Sequence, residues 1–132
     1  MQQPRMARIL VIDDEEDVRA LVSQALESEG HEVIPAANGA LGLALQRQRP
    51  ADLVITDIFM PESDGIETIH ELKKDFPRLK VIAMSGGGRS SSMFDSVRTT
   101  ASALGINAFL RKPFDFGTLL QSVRQVLEQS AA

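Results

Sequence analysis

Four short, unbroken apolar runs set the strongest limit on what this chain can fold into. They are Ile9-Leu10-Val11-Ile12, Leu53-Val54-Ile55, Val81-Ile82-Ala83-Met84 and Ala108-Phe109-Leu110. Runs this short, rich in β-branched residues and without polar alternation, read as strands covered on both faces. The segments between them have helical spacing instead. Val18, Leu21, Val22, Ala25 and Leu26 form one stripe, with Gly30 placed to stop it. Ile66, Ile69, Leu72 and Phe76 form a second, ended before Pro77, and Leu119, Leu120, Val123, Val126 and Leu127 form a third. Leu41, Ala44 and Leu45 suggest a helix of less regular pattern, and Met93, Val97, Ala101 and Leu104 suggest one more. A weaker strand runs from His31 to Ala36. Its Pro35 has no N–H for a ladder, which places it at a sheet edge.

Strands alternating with helices predict a parallel sheet with helices on both faces. Right-handed crossovers leave few arrangements, and five strands predict the order 2-1-3-4-5, a doubly wound, flavodoxin-like α/β fold. The 132 residues suit one domain, assigned to 7–128, with flexible ends at 1–6 and 129–132. Gly86-Gly87-Gly88-Arg89-Ser90-Ser91-Ser92 reads as a flexible loop.

Composition removes several function classes. The chain has no cysteine, which excludes disulfides, thiol catalysis and cysteine zinc sites. The formal net charge is −4, and the Lys and Arg residues are scattered without interleaved aromatics, so no direct nucleic-acid platform is expected. No apolar run approaches the roughly 20 residues that span a membrane, and Met1 to Ala7 lack an apolar leader core. A cytoplasmic domain without membrane contact is the expectation.

In open parallel sheets the chemistry sits beyond the carboxyl ends of the strands. Asp13 and Asp14 follow the first strand, Asp57 the third, Ser85 the fourth, and Lys112 with Pro113 the fifth. The predicted order makes strands 1 and 3 neighbours, so three carboxylates converge. Two like charges 4 Å apart repel by about 4 kcal/mol at an effective dielectric near 20. Such a cluster needs a counter-charge or raised pKa values. Oxygen-only ligands suit a hard divalent cation, with Mg²⁺ the expected one. Carboxylate, divalent cation, ammonium and hydroxyl together suit phosphoryl transfer onto a carboxylate oxygen. Taken alone, Asp57 reads as a turn residue ahead of Pro61, and Phe109 as a core residue. The remaining acids, Glu15, Glu16 and Asp17, read as charges at a helix start.

At these residues the chain resembles a response-regulator receiver domain of two-component signalling. The matching pieces are Ile9 to Asp14, Asp57-Ile58-Phe59-Met60-Pro61, Ser85-Gly86, and Phe109-Leu110-Arg111-Lys112-Pro113-Phe114. The resemblance implies that Asp57 accepts phosphate, with Mg²⁺ held by Asp13, Asp14, Asp57 and the Phe59 backbone carbonyl. It implies that Lys112 pairs with the phosphate, that Ser85 hydrogen-bonds to it, and that the Lys112–Pro113 peptide is cis. Ser85 and Phe109 take the positions of the family's switch residues. The implied partners are a sensor histidine kinase or a histidine phosphotransfer protein as donor. A downstream protein is expected on the face of helix 4, strand 5 and helix 5. Such a domain catalyses its own modification and demodification and is not otherwise an enzyme.

Two other functions use the same residues. A Mg²⁺-dependent aspartyl-phosphate phosphatase needs a second acid two positions after the nucleophile, where this chain has Phe59. A receiver-like interaction module without phosphorylation does not need the complete set of Asp13, Asp14, Asp57, Ser85 and Lys112. His70 begins His70-Glu71-Leu72-Lys73, which resembles a phosphoaccepting histidine motif, but the β/α pattern favours an exposed histidine on a surface helix. His31 has no partner at ligand spacing.

Overall fold

Each apolar run forms a strand of one parallel sheet in the computed structural model, which describes residues 6–60, 63–86 and 98–129. The elements in chain order are β1 (Arg8–Ile12), α1 (Glu16–Ser28), β2 (Glu32–Ala36), α2 (Gly39–Gln48), β3 (Leu53–Asp57), β4 (Phe59–Met60), β5 (Ser63–Asp64) and α3 (Gly65–Asp75). Then follow β6 (Lys80–Ser85), a helical stretch at 98–103 (α4), β7 (Ala108–Arg111) and α5 (Phe116–Glu128). The main sheet has the order β2-β1-β3-β6-β7, all parallel, which is the expected 2-1-3-4-5. Pro35 lies on the edge strand β2, where the N–H it lacks is not needed by an outer neighbour.

The strands are apolar on both faces because both faces are covered. Ile9, Val11, Leu53, Ile55, Ile82 and Met84 pack with α1 and α5 through Val22, Leu26, Leu119 and Val123. The alternate residues Leu10, Ile12, Val54, Val81 and Ala83 pack with Ile69 and Leu72 of α3 and with Ala101 of α4. This is the period-two division that a strand between two layers requires. No helix among the described residues is long and apolar enough to cross a membrane.

One reading needs correction, and two features were not foreseen. Leu21, placed in the buried stripe of α1, is 51% exposed, because α5 covers only the Val22, Ala25 and Leu26 side of that helix. Helix α2 buries Gly39, Gly42 and Gln46, while Leu41 and Ala44 face outward. Gln46 is tolerated inside because its side chain accepts from Ala51 N–H and donates to Ala51 C=O. The small antiparallel pair β4–β5 after Asp57 was not foreseen. The C-terminal stop of α1 at Gly30 holds: its φ is +93°, and His31 N–H reaches back to Leu26 C=O. Met93, Val97 and the 87–92 part of the predicted loop lie outside the described residues, as do 1–5 and 130–132 of the expected flexible ends.

Candidate functional site

Register brings the strand ends together. Ile12 pairs with Thr56, so Asp13 leaves β1 beside Asp57 at the end of β3. Asp57 pairs with Met84, and Ser85 with Arg111, which sets Lys112 one residue beyond the end of β7. Backbone bonds lock these exits: Asp13 N–H to Ala36 C=O, Ile58 N–H to Met84 C=O, and Lys112 N–H to Ser85 C=O at 2.7 Å. The Lys112–Pro113 peptide is cis, as expected.

Lys112 points inward. Its Nζ donates to Asp13 Oδ2 at 2.8 Å, to Asp57 Oδ2 at 3.2 Å and to Glu15 Oε1 at 3.4 Å. Asp13 and Asp57 are buried, Asp14 and Glu15 exposed. Carboxylate oxygens of all four acids lie within 4.8 Å of one another. At such spacing mutual repulsion is several kcal/mol, on the order of the ~4 kcal/mol expected at an effective dielectric near 20, and the ammonium offsets part of it. Burial pulls the Lys112 pKa down, but the hydrogen bonds and charges of Asp13 and Asp57 outweigh it and hold the ammonium above its ordinary value. A pKa raised on folding contributes stability that is complete below the ordinary 10.5 and is lost only as pH climbs past it. Lys112 is therefore a fixed positive charge at neutral pH.

The donor set suits a hard cation. It is entirely oxygen, and exposed Asp14 leaves one side open to water, as Mg²⁺ coordination prefers. Ser85 Oγ is fully buried at this rim and has no hydrogen-bond partner among the described residues. A buried hydroxyl left this way is costly unless a ligand completes it. Phe109 is half-buried against the core layer that holds α3 and α4. The backbone of Phe59 pairs with Asp64 in the β4–β5 ribbon. A groove of about 430 Å³ between α1 and the start of α5 opens beside Lys112, lined by Glu15, Val18, Leu21, Phe114 and Phe116.

Gly65 packs directly against the backbone of Asp57 and Ile58 at the end of β3. A Cβ there would lie 2.4 Å from Asp57 O, 2.5 Å from Ile58 Cα and 2.7 Å from Ile58 O, and Gly65 N–H donates to Ile58 C=O at 3.1 Å. Only the absence of a side chain permits this approach.

The pattern that defines the response regulator receiver domain matches residues 9–124. This chain belongs to the response regulator receiver domain family. Chemotaxis protein CheY of Bacillus subtilis is 32% identical over 91% of this chain and 97% of its own. The solved receiver domain of NtrX from Brucella abortus has a TM-score of 0.85 at 36% identity, covering 92% of this receiver domain and 99% of that one. The transcriptional regulatory protein GlrR of Escherichia coli is 38% identical over 95% of this chain, which spans only 27% of that relative's length. Receiver domains are the phosphoryl-accepting switches of two-component response regulators.

Of the expected site residues, Asp13, Asp14, Asp57 and Lys112 meet at one point, and Ser85 ends the neighbouring strand. Glu15 was read only as a charge at the helix start, and that reading is incomplete. It is the N-cap of α1, yet its side chain makes no capping bond and lies against Lys112. The cap-like bond is made by Asp13 Oδ1, which accepts from Glu15 N–H at 2.9 Å. The sequence carried no local signal for this role, since Glu15 is one of five consecutive acids. His31 is buried and structural, with Nδ1 accepting from Ala7 N–H at 3.1 Å, and His70 is exposed, as read from the sequence.

Proposed function

We propose that this receiver domain accepts a phosphoryl group on Asp57 from the phosphohistidine of a sensor kinase or a phosphotransfer protein, and that acceptance changes its partner-binding face. The observation that carries this reading is the half-buried Lys112 ammonium bonded at once to Asp57 and Asp13. In the reaction an Asp57 carboxylate oxygen attacks phosphorus in line, the P–N bond to the donor imidazole breaks, and the imidazole leaves with the electron pair. Lys112 orients Asp57 beforehand and meets phosphoryl oxygens afterwards. Ser85 Oγ, already at the rim, donates to one of those oxygens.

Asp13, Asp14 and Asp57, with the Phe59 carbonyl, would hold Mg²⁺. When bound, Mg²⁺ offsets negative charge on the transferred group. The same residues catalyse loss of the phosphoryl group to water. The donor reaches Asp57 past α1, where exposed Leu21 and Phe116 border the groove beside Lys112 and offer a helix an apolar surface. Downstream proteins bind the face of α4, β7 and α5, where Phe109 couples that face to the site. The protein acts in the cytoplasm.

The test is labelling with acetyl phosphate. One phosphoryl group per chain is expected, dependent on Mg²⁺ and absent in Asp57→Asn. Repeated turnover of free phosphoesters would replace this reading with a phosphatase, and no labelling at all with a phosphorylation-independent interaction module.

A further inference from the structure

Lys112 holds one carboxylate more than acceptor and metal chemistry use. An ammonium has three N–H donors, and among the described residues three carboxylate acceptors surround this one: Asp13, Asp57 and Glu15 at 2.8, 3.2 and 3.4 Å. The side chains of Asp13 and Asp57 are 0% and 3% exposed, whereas that of Glu15 is 61% exposed. The solvent-side donor of Lys112 is therefore the one Glu15 takes. Glu15 is also the weakest of the three contacts by length, and the one whose release leaves no buried charge behind. Its side chain makes no capping bond for α1 and lines the groove that opens on Lys112.

We propose that Glu15 is a positioning residue for phosphoryl transfer. Its carboxylate holds the outward N–H of Lys112 at rest and must yield it to an oxygen of the arriving phosphoryl group. The carboxylate stands where that oxygen has to come, so it opposes donors in proportion to their negative charge. A small dianionic donor is held back more than a monoanionic one, and a protein donor, whose docking surface supplies binding energy, overcomes the barrier best. This inference rests on Asp57 being the acceptor.

The experiment compares two free donors on the full chain, at a Mg²⁺ concentration raised until the rate no longer responds. With acetyl phosphate, a dianion near neutral pH, Asp57 gains the phosphoryl group and acetate leaves with the bonding pair. With phosphoramidate, a monoanion, ammonia is the leaving group. Glu15→Gln removes the charge and keeps the size. We expect it to raise the acetyl phosphate rate by about two- to fivefold and the phosphoramidate rate by clearly less, the scale of one exposed ion pair. The difference should shrink as ionic strength rises. An equal change with both donors, no change, or a change indifferent to salt overturns the proposal. No labelling of the unsubstituted chain, or labelling that survives Asp57→Asn, overturns the acceptor assignment and this inference together. Labelling lost in Asp57→Asn with Glu15→Gln indifferent to donor charge overturns this inference alone.

Discussion

Replacing Gly65 with alanine should disable the site without touching a charged residue. The new Cβ would lie 2.4 Å from Asp57 O, 1.0 Å short of the 3.4 Å where ordinary contact begins, with Ile58 Cα and O also too close. All three obstacles are backbone, so no rotamer relieves them. Overpacking of this kind costs about 1–3 kcal/mol, and three backbone contacts argue for the upper end. Alanine returns at most ~1 kcal/mol in helix propensity. A net loss of about 2 kcal/mol follows from those two terms. The backbone that must give way carries Asp57, and a displacement near 1 Å at a reacting group costs on the order of 10²-fold in rate. Gly42→Ala is the control. Its Cβ would meet only side-chain atoms, Ile12 Cδ1 at 2.4 Å and Cγ1 at 2.8 Å, which can move by a rotamer change without shifting the Asp57 backbone. Urea denaturation gives the stabilities, and acetyl phosphate labelling of the folded fraction gives the rates. Gly65→Ala should lose both stability and rate, and Gly42→Ala stability only. A Gly65→Ala protein within roughly 0.5 kcal/mol of the parent, labelling at the parent rate, would refute the reasoning.

Three further outcomes are expected. Lys112→Met leaves buried Asp13 and Asp57 facing each other and should lower stability by about 1–3 kcal/mol without divalent ions. Added Mg²⁺ should recover part of that loss in urea titrations, and equal stability with and without Lys112 would contradict the charge argument. Burial holds the His31 pKa below its ordinary 6.5, with Glu29 opposing and Arg124 reinforcing the shift. The unfolded chain then binds more protons near that pH, so the contribution of His31 is complete above 6.5 and drains away as pH falls below it. Asparagine at 31 offers an acceptor without titrating, and His31→Asn should flatten this acid slope in thermal melts. The Asn38 side chain caps α2 by accepting from Leu41 N–H at 2.8 Å, so Asn38→Ala should cost about 1 kcal/mol by denaturation, with labelling unchanged.

Much of this architecture was legible because burial on both faces leaves a plain mark. Ile9 to Ile12 and Val81 to Met84 have no polar interruption, and no other setting suits so short a run. Strand order then followed from topology rules, with Pro35 marking the edge, and strand order alone was enough to bring Asp13 and Asp57 together. Helix α2 was harder to read. Its buried face is made by Gly39, Gly42 and Gln46, and pattern reading looks for large apolar residues, whereas here close approach to Ile12 selected a glycine. Leu21 failed for the opposite reason: helical spacing names a stripe but not how much of it a neighbour covers. Glu15 was hidden by its neighbours. In a run of five acids nothing local distinguishes a helix-end charge from one that reaches a lysine 97 positions away.

That distance along the chain has a consequence for folding. Asp13 and Lys112 are 99 residues apart, and Asp57 and Lys112 are 55 apart. No fragment shorter than nearly the whole domain contains the balance of charge. A molecule whose edge strand β7 has peeled away keeps two desolvated acids opposed with no cation between them. Docking of that last strand and assembly of the Lys112–Asp13–Asp57 cluster are thus one equilibrium, and the charge balance at the strand ends exists only once the whole domain has finished folding.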